Sequence, residues 1–255
     1  RKESSAASDV YKRQNIDSII GSGMYKYNES VQINATLKQI LGYKITWNGW
    51  NSLTPGLIQN KINKSENIIM PAGDIILKAT ANKQAINYNI QYMLNGGTID
   101  QGKENVSSYT IETSDITLNN PVKQGYVFAG WTGGTEEVNC GTTGNIAEPT
   151  ENVTIRTGSM GDRVYTANWV GDSKTGYKVK YYKEKLDGTY EVAETVNLEG
   201  TTDATVLAVK RTYQGFTFDE NNENNILEGT VKADGSLVLN AVSYTHLTLP
   251  TTPYV

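Results

Sequence analysis

Between residues 86 and 94 every second position is apolar. Ile86, Tyr88, Ile90, Tyr92 and Leu94 share one face, with Asn87, Asn89, Gln91 and Met93 between them. A period of two predicts a strand with one face in a core. The same alternation marks residues 30–36, and residues 74–80, 126–131, 164–169 and 177–182 also read as strands. Turn signals separate these runs: Asn95, Gly96 and Gly97; Pro71, Gly73 and Asp74; Gly161 and Asp162; and LDGT at residues 186–189. At Gly73 the expectation is a backbone conformation that a side chain would resist. Helical periodicity is scarce. Residues 57–61 are predicted to form at most one helical turn. Residues 202–208 read as a short helix capped by Asp203, with a strand nearly as well supported by their β-branched content. Residues 132–149 read as a long polar loop.

One phrase recurs. It reads GYVFAGW at residues 125–131, then Gly161 and Asp162, then YTANW at 165–169. Earlier it reads GYKITWNGW at 42–50, then Gly73 and Asp74, then LKATA at 77–81. A looser version reads GFTF at 215–218, LEGTV at 227–231 and LVL at 237–239. Recurrence at this period means small modules in series. The expected units are residues 15–81, 85–169 and 176–240. The fold class expected is mainly β or small α+β, each unit a small twisted sheet with at most one short helix. The expected core residues are Trp50, Tyr126, Phe128, Trp131, Tyr165, Trp169, Phe216 and Phe218. Trp47 has no evident counterpart in the shorter second phrase, so it is expected at the surface. With Tyr88, Tyr92, Tyr177 and Tyr181 it forms the set of candidate partner contacts.

Both ends read as foreign to this pattern. Residues 4–14 can be encoded by a DNA string resembling a transposon-based sequencing adapter. The reverse complement of that string encodes residues 242–251. Residues 1–14 and 241–255 are therefore set apart, and residues 15–240 are taken as a fragment open at both ends. The sequence carries 23 basic and 27 acidic residues. Setting the ends apart removes four basic and two acidic ones, for a net charge of −6. That sign opposes nucleic-acid binding, which needs a basic footprint.

Catalytic raw material is thin. The single histidine, His246, lies in the tail that is set apart, so no Ser-His or Cys-His pair and no histidine metal ligand remains. Cys140 has no disulfide partner and is read as an inert loop thiol. Glu136 with Glu137, and Glu191 with Glu194, are the pairs to weigh as glycosidase carboxylates. That chemistry needs a deep cleft at a defined separation. The acidic and amide run at 219–225 offers oxygen ligands but lacks the order of a calcium loop. No metal or cofactor is expected. A lysine–asparagine crosslink would need a buried lysine beside an acidic helper.

Residues 87–169 resemble the Listeria–Bacteroides repeat, the internalin B-repeat-like domain. The resemblance is carried by YMLNGG at 92–97, YTIE at 109–112, ITLN at 116–119, GYVFAGW at 125–131 and YTANW at 165–169. It implies a β-grasp-like module found in tandem on bacterial surface proteins, often of Gram-positive or gut bacteria, with no catalytic residues to carry over. Residues 38–81 resemble a divergent member with two extra residues in the phrase and Ala81 where the second unit has Trp169. Residues 176–240 are loosely similar to mucin-binding-protein repeats. The function expected is a spacer or stalk at the cell surface or cell wall. Its partners would be neighbouring repeats in the chain, with wall or membrane attachment through regions outside the sequence. An adhesin module for host glycan or protein is the alternative, and part of a surface glycan hydrolase ranks third.

Overall fold

The computed structural model describes residues 5–11, 15–135 and 144–245. Every regular element among them is a strand. The protein is mainly β, as the alternation predicts, and the helix allowed for each unit is not formed among the described residues.

The first unit holds β1 (Ser5–Tyr11), β2 (Ile16–Ile20), β3 (Gly23–Lys26), β4 (Ser30–Leu37), β5 (Tyr43–Ser52), β6 (Ser65–Ile69) and β7 (Ile75–Ala85). Its main sheet runs β3-β1-β7-β5, with β1 and β7 parallel, and a second sheet runs β2-β4-β6. The second unit holds β8 (Tyr88–Met93), β9 (Ser108–Tyr109), β10 (Ile116–Thr117), β11 (Tyr126–Gly134), β12 (Ile146–Thr150), β13 (Thr154–Ile155) and β14 (Arg163–Gly171). Its main sheet runs β12-β11-β14-β8-β9, with β8 and β14 parallel, and β10 pairs with β13. The third holds β15 (Thr175–Glu184), β16 (Tyr190–Gly200), β17 (Thr205–Leu207), β18 (Phe216–Phe218), β19 (Glu228–Thr230) and β20 (Val238–Thr245). Here the order is β16-β15-β20-β18, with β15 and β20 parallel, and β17 pairs with β19.

One plan underlies all three. The first strand lies parallel to the last, the strand of the repeated phrase flanks the last, and the other neighbour of the first strand is β3, β9 or β16 in turn. Parallel neighbours cannot be joined by a tight hairpin, so the chain between them must cross over. In each unit that crossover builds the small second sheet, and the core lies between the two sheets. In the first unit Val31, Ile33 and Ile68 meet Trp50, Ile75, Leu77 and Ala79. In the second, Leu118, Val153 and Ile155 meet Ile90, Trp131, Tyr165 and Ala167. In the third, Val231 and the half-buried Val206 meet Tyr177, Val179 and Leu239.

Several local expectations change. Residues 57–61 form turns rather than a helix, and the Lys61 carbonyl accepts the Trp50 N–H at 3.0 Å. In residues 202–208 the strand alternative prevails: Asp203 takes φ +68 in a turn, and β17 follows. The polar stretch 132–149 contributes the edge strand β12. Gly73 does not have a positive φ, and open space surrounds the position of a Cβ there. Residues 5–11, set apart on sequence grounds, are drawn into the first sheet as β1. Ala241, Val242 and Ser243 are likewise buried within β20.

Candidate functional site

The repeated phrase builds the same object twice. In β11 the register against β14 shifts between Phe128 and Gly130, and in β5 it shifts against β7 between Trp47 and Gly49. Each shift is a β-bulge at a glycine with positive φ, +130 at Gly130 and +123 at Gly49. A Cβ on Gly130 would lie 2.4 Å from the Thr150 nitrogen, and one on Gly49 would lie 2.9 Å from the Lys61 oxygen. The bulge carbonyl is satisfied from the opposite strand in both units. Asn168 Nδ2 donates to the Gly130 oxygen at 3.2 Å, and Thr80 Oγ1 to the Gly49 oxygen at 2.7 Å. The bulge re-aims the next residue inward. Trp131 is 0% exposed and Trp50 is 1% exposed.

Around Trp131 the aromatic residues form one cluster. Phe128 meets it edge-on at 5.4 Å, Tyr92 at 5.9 Å and Tyr165 at 6.4 Å. Trp131 Nε1 donates to Asn120 Oδ1 at 3.1 Å. Trp169 is half-buried beside Phe128, and its Nε1 donates to the Leu94 oxygen at 3.0 Å. That bond anchors the turn at Asn95 and Gly96, whose φ values of +50 and +83 place both in the left-handed region. Gly97 has no room for a side chain, because a Cβ would lie 2.4 Å from Trp169 Cζ2. In the first unit Trp50 Nε1 and Trp47 Nε1 are buried with no hydrogen-bond partner among the described residues.

Sequence reasoning missed a buried cation. Arg163 is 1% exposed on the inward face of β14. Its Nε donates to Tyr109 Oη at 2.8 Å, and Tyr109 Oη donates to the Gly161 oxygen at 2.6 Å. Burial opposes the guanidinium charge, but the hydrogen bonds and the nearby phenols outweigh it and push the Arg163 pKa up. The relay ties β9 to the turn before β14. At that turn the Asn89 N–H donates to Asp162 Oδ1 at 2.6 Å. An arginine in an alternating strand reads from sequence as an outward residue, so nothing in the chain announced it.

The candidate partner contacts point into the cores. Trp47 is half-buried, packs against the first core and meets Trp50 edge-on at 5.4 Å. Its register counterpart is Phe128, so it is not the exposed ring that phrase length suggested. The two extra residues lengthen β5 ahead of the bulge, and two residues preserve the face. Tyr88 and Tyr92 pack against the second core, and Tyr92 Oη donates to the Val106 oxygen at 2.9 Å. Tyr177 and Tyr181 are buried in the third, where Tyr181 Oη donates to the Val209 oxygen at 2.9 Å. Phe218 packs there too, whereas Phe216 stands half-buried outside that cluster under the Lys183 ammonium. Tyr126, expected in the second core, sits half-exposed at its border with the third unit.

The acidic candidates are held in structural contacts. Glu194 accepts from Arg211 Nη1 at 2.6 Å and from Tyr213 Oη at 3.2 Å, and Glu191 lies 3.8 Å from Lys185 Nζ. In residues 219–225, Asp219 accepts from Asn222 Nδ2 at 3.0 Å, and its carbonyl accepts from Asn225 Nδ2 at 2.7 Å. Glu136, Glu137, Cys140 and His246 lie outside the described residues. Among the described residues no group of three or more His, Cys, Asp or Glu side chains could hold a metal ion, and no lysine is buried.

The structure thus describes a series of small β units, each closed on an aromatic or aliphatic core. Residues 88–156 match the family model of the Listeria-Bacteroides repeat domain. The match covers β8 to β13, and β14, which completes the second sheet, follows it directly. This family occurs in bacterial surface and extracellular proteins. No curated protein matches the chain.

Proposed function

We propose that these units are a spacer of a bacterial cell-surface protein, which holds a distal domain away from the cell wall and carries tension along its length. One observation carries this reading. In the second and third units the first and last strands are parallel neighbours, β8 with β14 and β15 with β20, and in the first β7 has a parallel neighbour in β1, which lies in the residues set apart on sequence grounds. The chain therefore enters a unit at one end of the pair and leaves at the other. Tension along the chain slides the two strands past each other, so several ladder hydrogen bonds must break together. An antiparallel pair loaded at one end would instead open one bond at a time. The parallel first-to-last pairing also supports a β-grasp-like description of the modules. Short joins support a stiff array: two residues separate β7 from β8, and three separate β14 from β15. Catalysis is no part of this reading.

Small-angle X-ray scattering on the full chain tests the spacer. It predicts a particle several times longer than it is wide. A compact pair-distance distribution would overturn it.

Adhesion is the second reading, and one hollow favours it. A cavity of about 390 Å³ in the third unit is lined by Tyr182, Tyr190, Glu223, Asn224 and Asn240, among others. Aromatic faces beside amide and carboxylate groups suit a sugar ring. A glycan array decides: saturable binding that is lost in Tyr190→Ala would favour adhesion.

A further inference from the structure

Two hydrogen bonds join consecutive units, and they use corresponding residues. Tyr43 Oη donates to Glu112 Oε1 at 2.9 Å, and Tyr126 Oη donates to Asp203 Oδ2 at 2.6 Å. Each tyrosine opens the phrase strand of its unit and follows a glycine of positive φ, Gly42 at +76 and Gly125 at +74. Each glycine carbonyl accepts the N–H of the first residue beyond the last strand, Ile86 at 2.9 Å and Asp172 at 3.0 Å. Each glycine also abuts the next unit. A Cβ there would lie 2.5 Å from Ile111 Cδ1 in one case and 2.5 Å from Ala233 Cα in the other. A lysine of the same unit covers each tyrosine ring, Lys83 at 4.0 Å and Lys123 at 4.1 Å.

The acceptors correspond as well. Glu112 lies in a turn closed by the Thr113 N–H to the Thr110 oxygen at 3.0 Å, and Asp203 in one closed by the Ala204 N–H to the Thr201 oxygen at 3.0 Å. Both turns leave the second strand of their unit and lead into the small sheet. Both acids occupy the third turn position. The first unit has the same turn, closed by the Glu29 N–H to the Lys26 oxygen at 3.1 Å, but its third residue is Asn28. The third unit has the same donor position, but there Gly215 is followed by Phe216, which has no hydroxyl.

We propose that the Gly-Tyr opening of a phrase strand and the turn acid of the next unit form a recurrent latch, a docking surface for a following module that carries Asp or Glu at the third turn position. A phenol donating to a carboxylate makes a charge-assisted bond, stronger and more directional than a neutral one. Glu112 and Asp203, by accepting these bonds, also raise the pKa of their tyrosines. The bond sits at the surface, so it fixes orientation rather than folding either unit. Lysine on the ring face and glycine against the neighbour restrict the tyrosine to one approach. The latch has a direction: the first unit offers a donor and no receiving carboxylate, the third a receiving carboxylate and no donor. It goes beyond the spacer reading, because it states which module can follow which, whatever the array carries.

Spin-label distances in the full chain test it. In a Cys140→Ser background, labels on Leu53→Cys and Lys103→Cys report the first joint, and labels on Lys103→Cys and Leu186→Cys report the second. The latch predicts that Tyr43→Phe broadens the first distance distribution and leaves the second unchanged, with the reverse for Tyr126→Phe. Glu112→Ala should match Tyr43→Phe, while Glu112→Gln, which keeps an acceptor oxygen, should broaden less. Amide exchange in β7 and β14 should stay as in the parent, showing that each unit remains folded. Unchanged widths at both joints in the Tyr→Phe chains would overturn the latch. An extended or a compact particle in scattering bears on the spacer reading alone.

Discussion

Phe128 and Trp169 face each other across β11 and β14, with ring centroids 5.5 Å apart and planes at 68°. The equivalent pair in the first unit is Trp47 opposite Ala81. One unit sets two rings across the ladder, and the other sets its larger ring opposite a methyl group. In the first unit the indole stands on the phrase strand, and no second ring lies opposite it. Ala81→Trp alone would overpack that site and cost about 1–3 kcal/mol. Combined with Trp47→Phe it should cost less than either sum of parts predicts, because the two sites share one space. Denaturant melts of the two single variants and the double variant check this, and additive losses would contradict it.

Trp131 anchors the second core with its polar atom satisfied. Trp131→Ala should cost about 3–5 kcal/mol by cavity formation. Asn120→Ala removes the acceptor of the indole N–H and should cost about 1–3 kcal/mol. Chemical denaturation followed by tryptophan fluorescence reads both. A loss below about 1 kcal/mol at Trp131 would mean that the core does not depend on this ring.

Glycines of similar sequence context should behave oppositely. Gly130→Ala places a methyl group against the backbone of β12 at a positive φ, so it should destabilise the second unit by more than about 1 kcal/mol. Gly73→Ala meets open space at an ordinary φ and should stabilise the first unit by about 0.4–1 kcal/mol through the unfolded chain. Thermal melts of the two variants give the comparison, and equal shifts would refute the assignment of the bulge.

Burial, aided by the neighbouring Tyr165, pushes the Tyr92 hydroxyl far above its usual value. A raised folded-state value for an acid means that the neutral form is favoured on folding. The associated stability is fully present below the unfolded value of about 10 and is lost as pH rises from there through the folded value. The second unit should therefore lose stability above about pH 10, and Tyr92→Phe should flatten that loss. Denaturant midpoints at stepped alkaline pH measure the slope. A parent and a variant with equal slopes would contradict the burial of this phenol.

The sequence shows some of this architecture directly. Ile90, Tyr92 and Leu94 alternate because one face of β8 is packed, and GYVFAGW carries both the bulge glycine and the tryptophan it turns inward. Ile86, which continues the same alternation, stands exposed at the join, since periodicity does not say where a strand begins. Pairing is less visible than alternation. The parallel neighbours β8 and β14 lie far apart in the chain, and no local residue type marks their register. Phrase length leaves Trp47 without a counterpart, whereas the bulge glycine Gly49 is the fixed point that aligns it with Phe128. Arg163 looks like a surface residue until Tyr109, Tyr165 and the turn at Gly161 are brought around it. Tyr126, expected in the core, and Tyr43 at the same place in the first phrase each follow a glycine of positive φ and reach the next unit.

The central claim is that tension meets three separate units, each clamped by a parallel first and last strand. Pulling the full chain by its two ends in a single-molecule force experiment tests it most directly. The account predicts three distinct unfolding events, each releasing roughly 200–250 Å of chain. One cooperative event for the whole chain, or smooth extension with no force peaks, would contradict it.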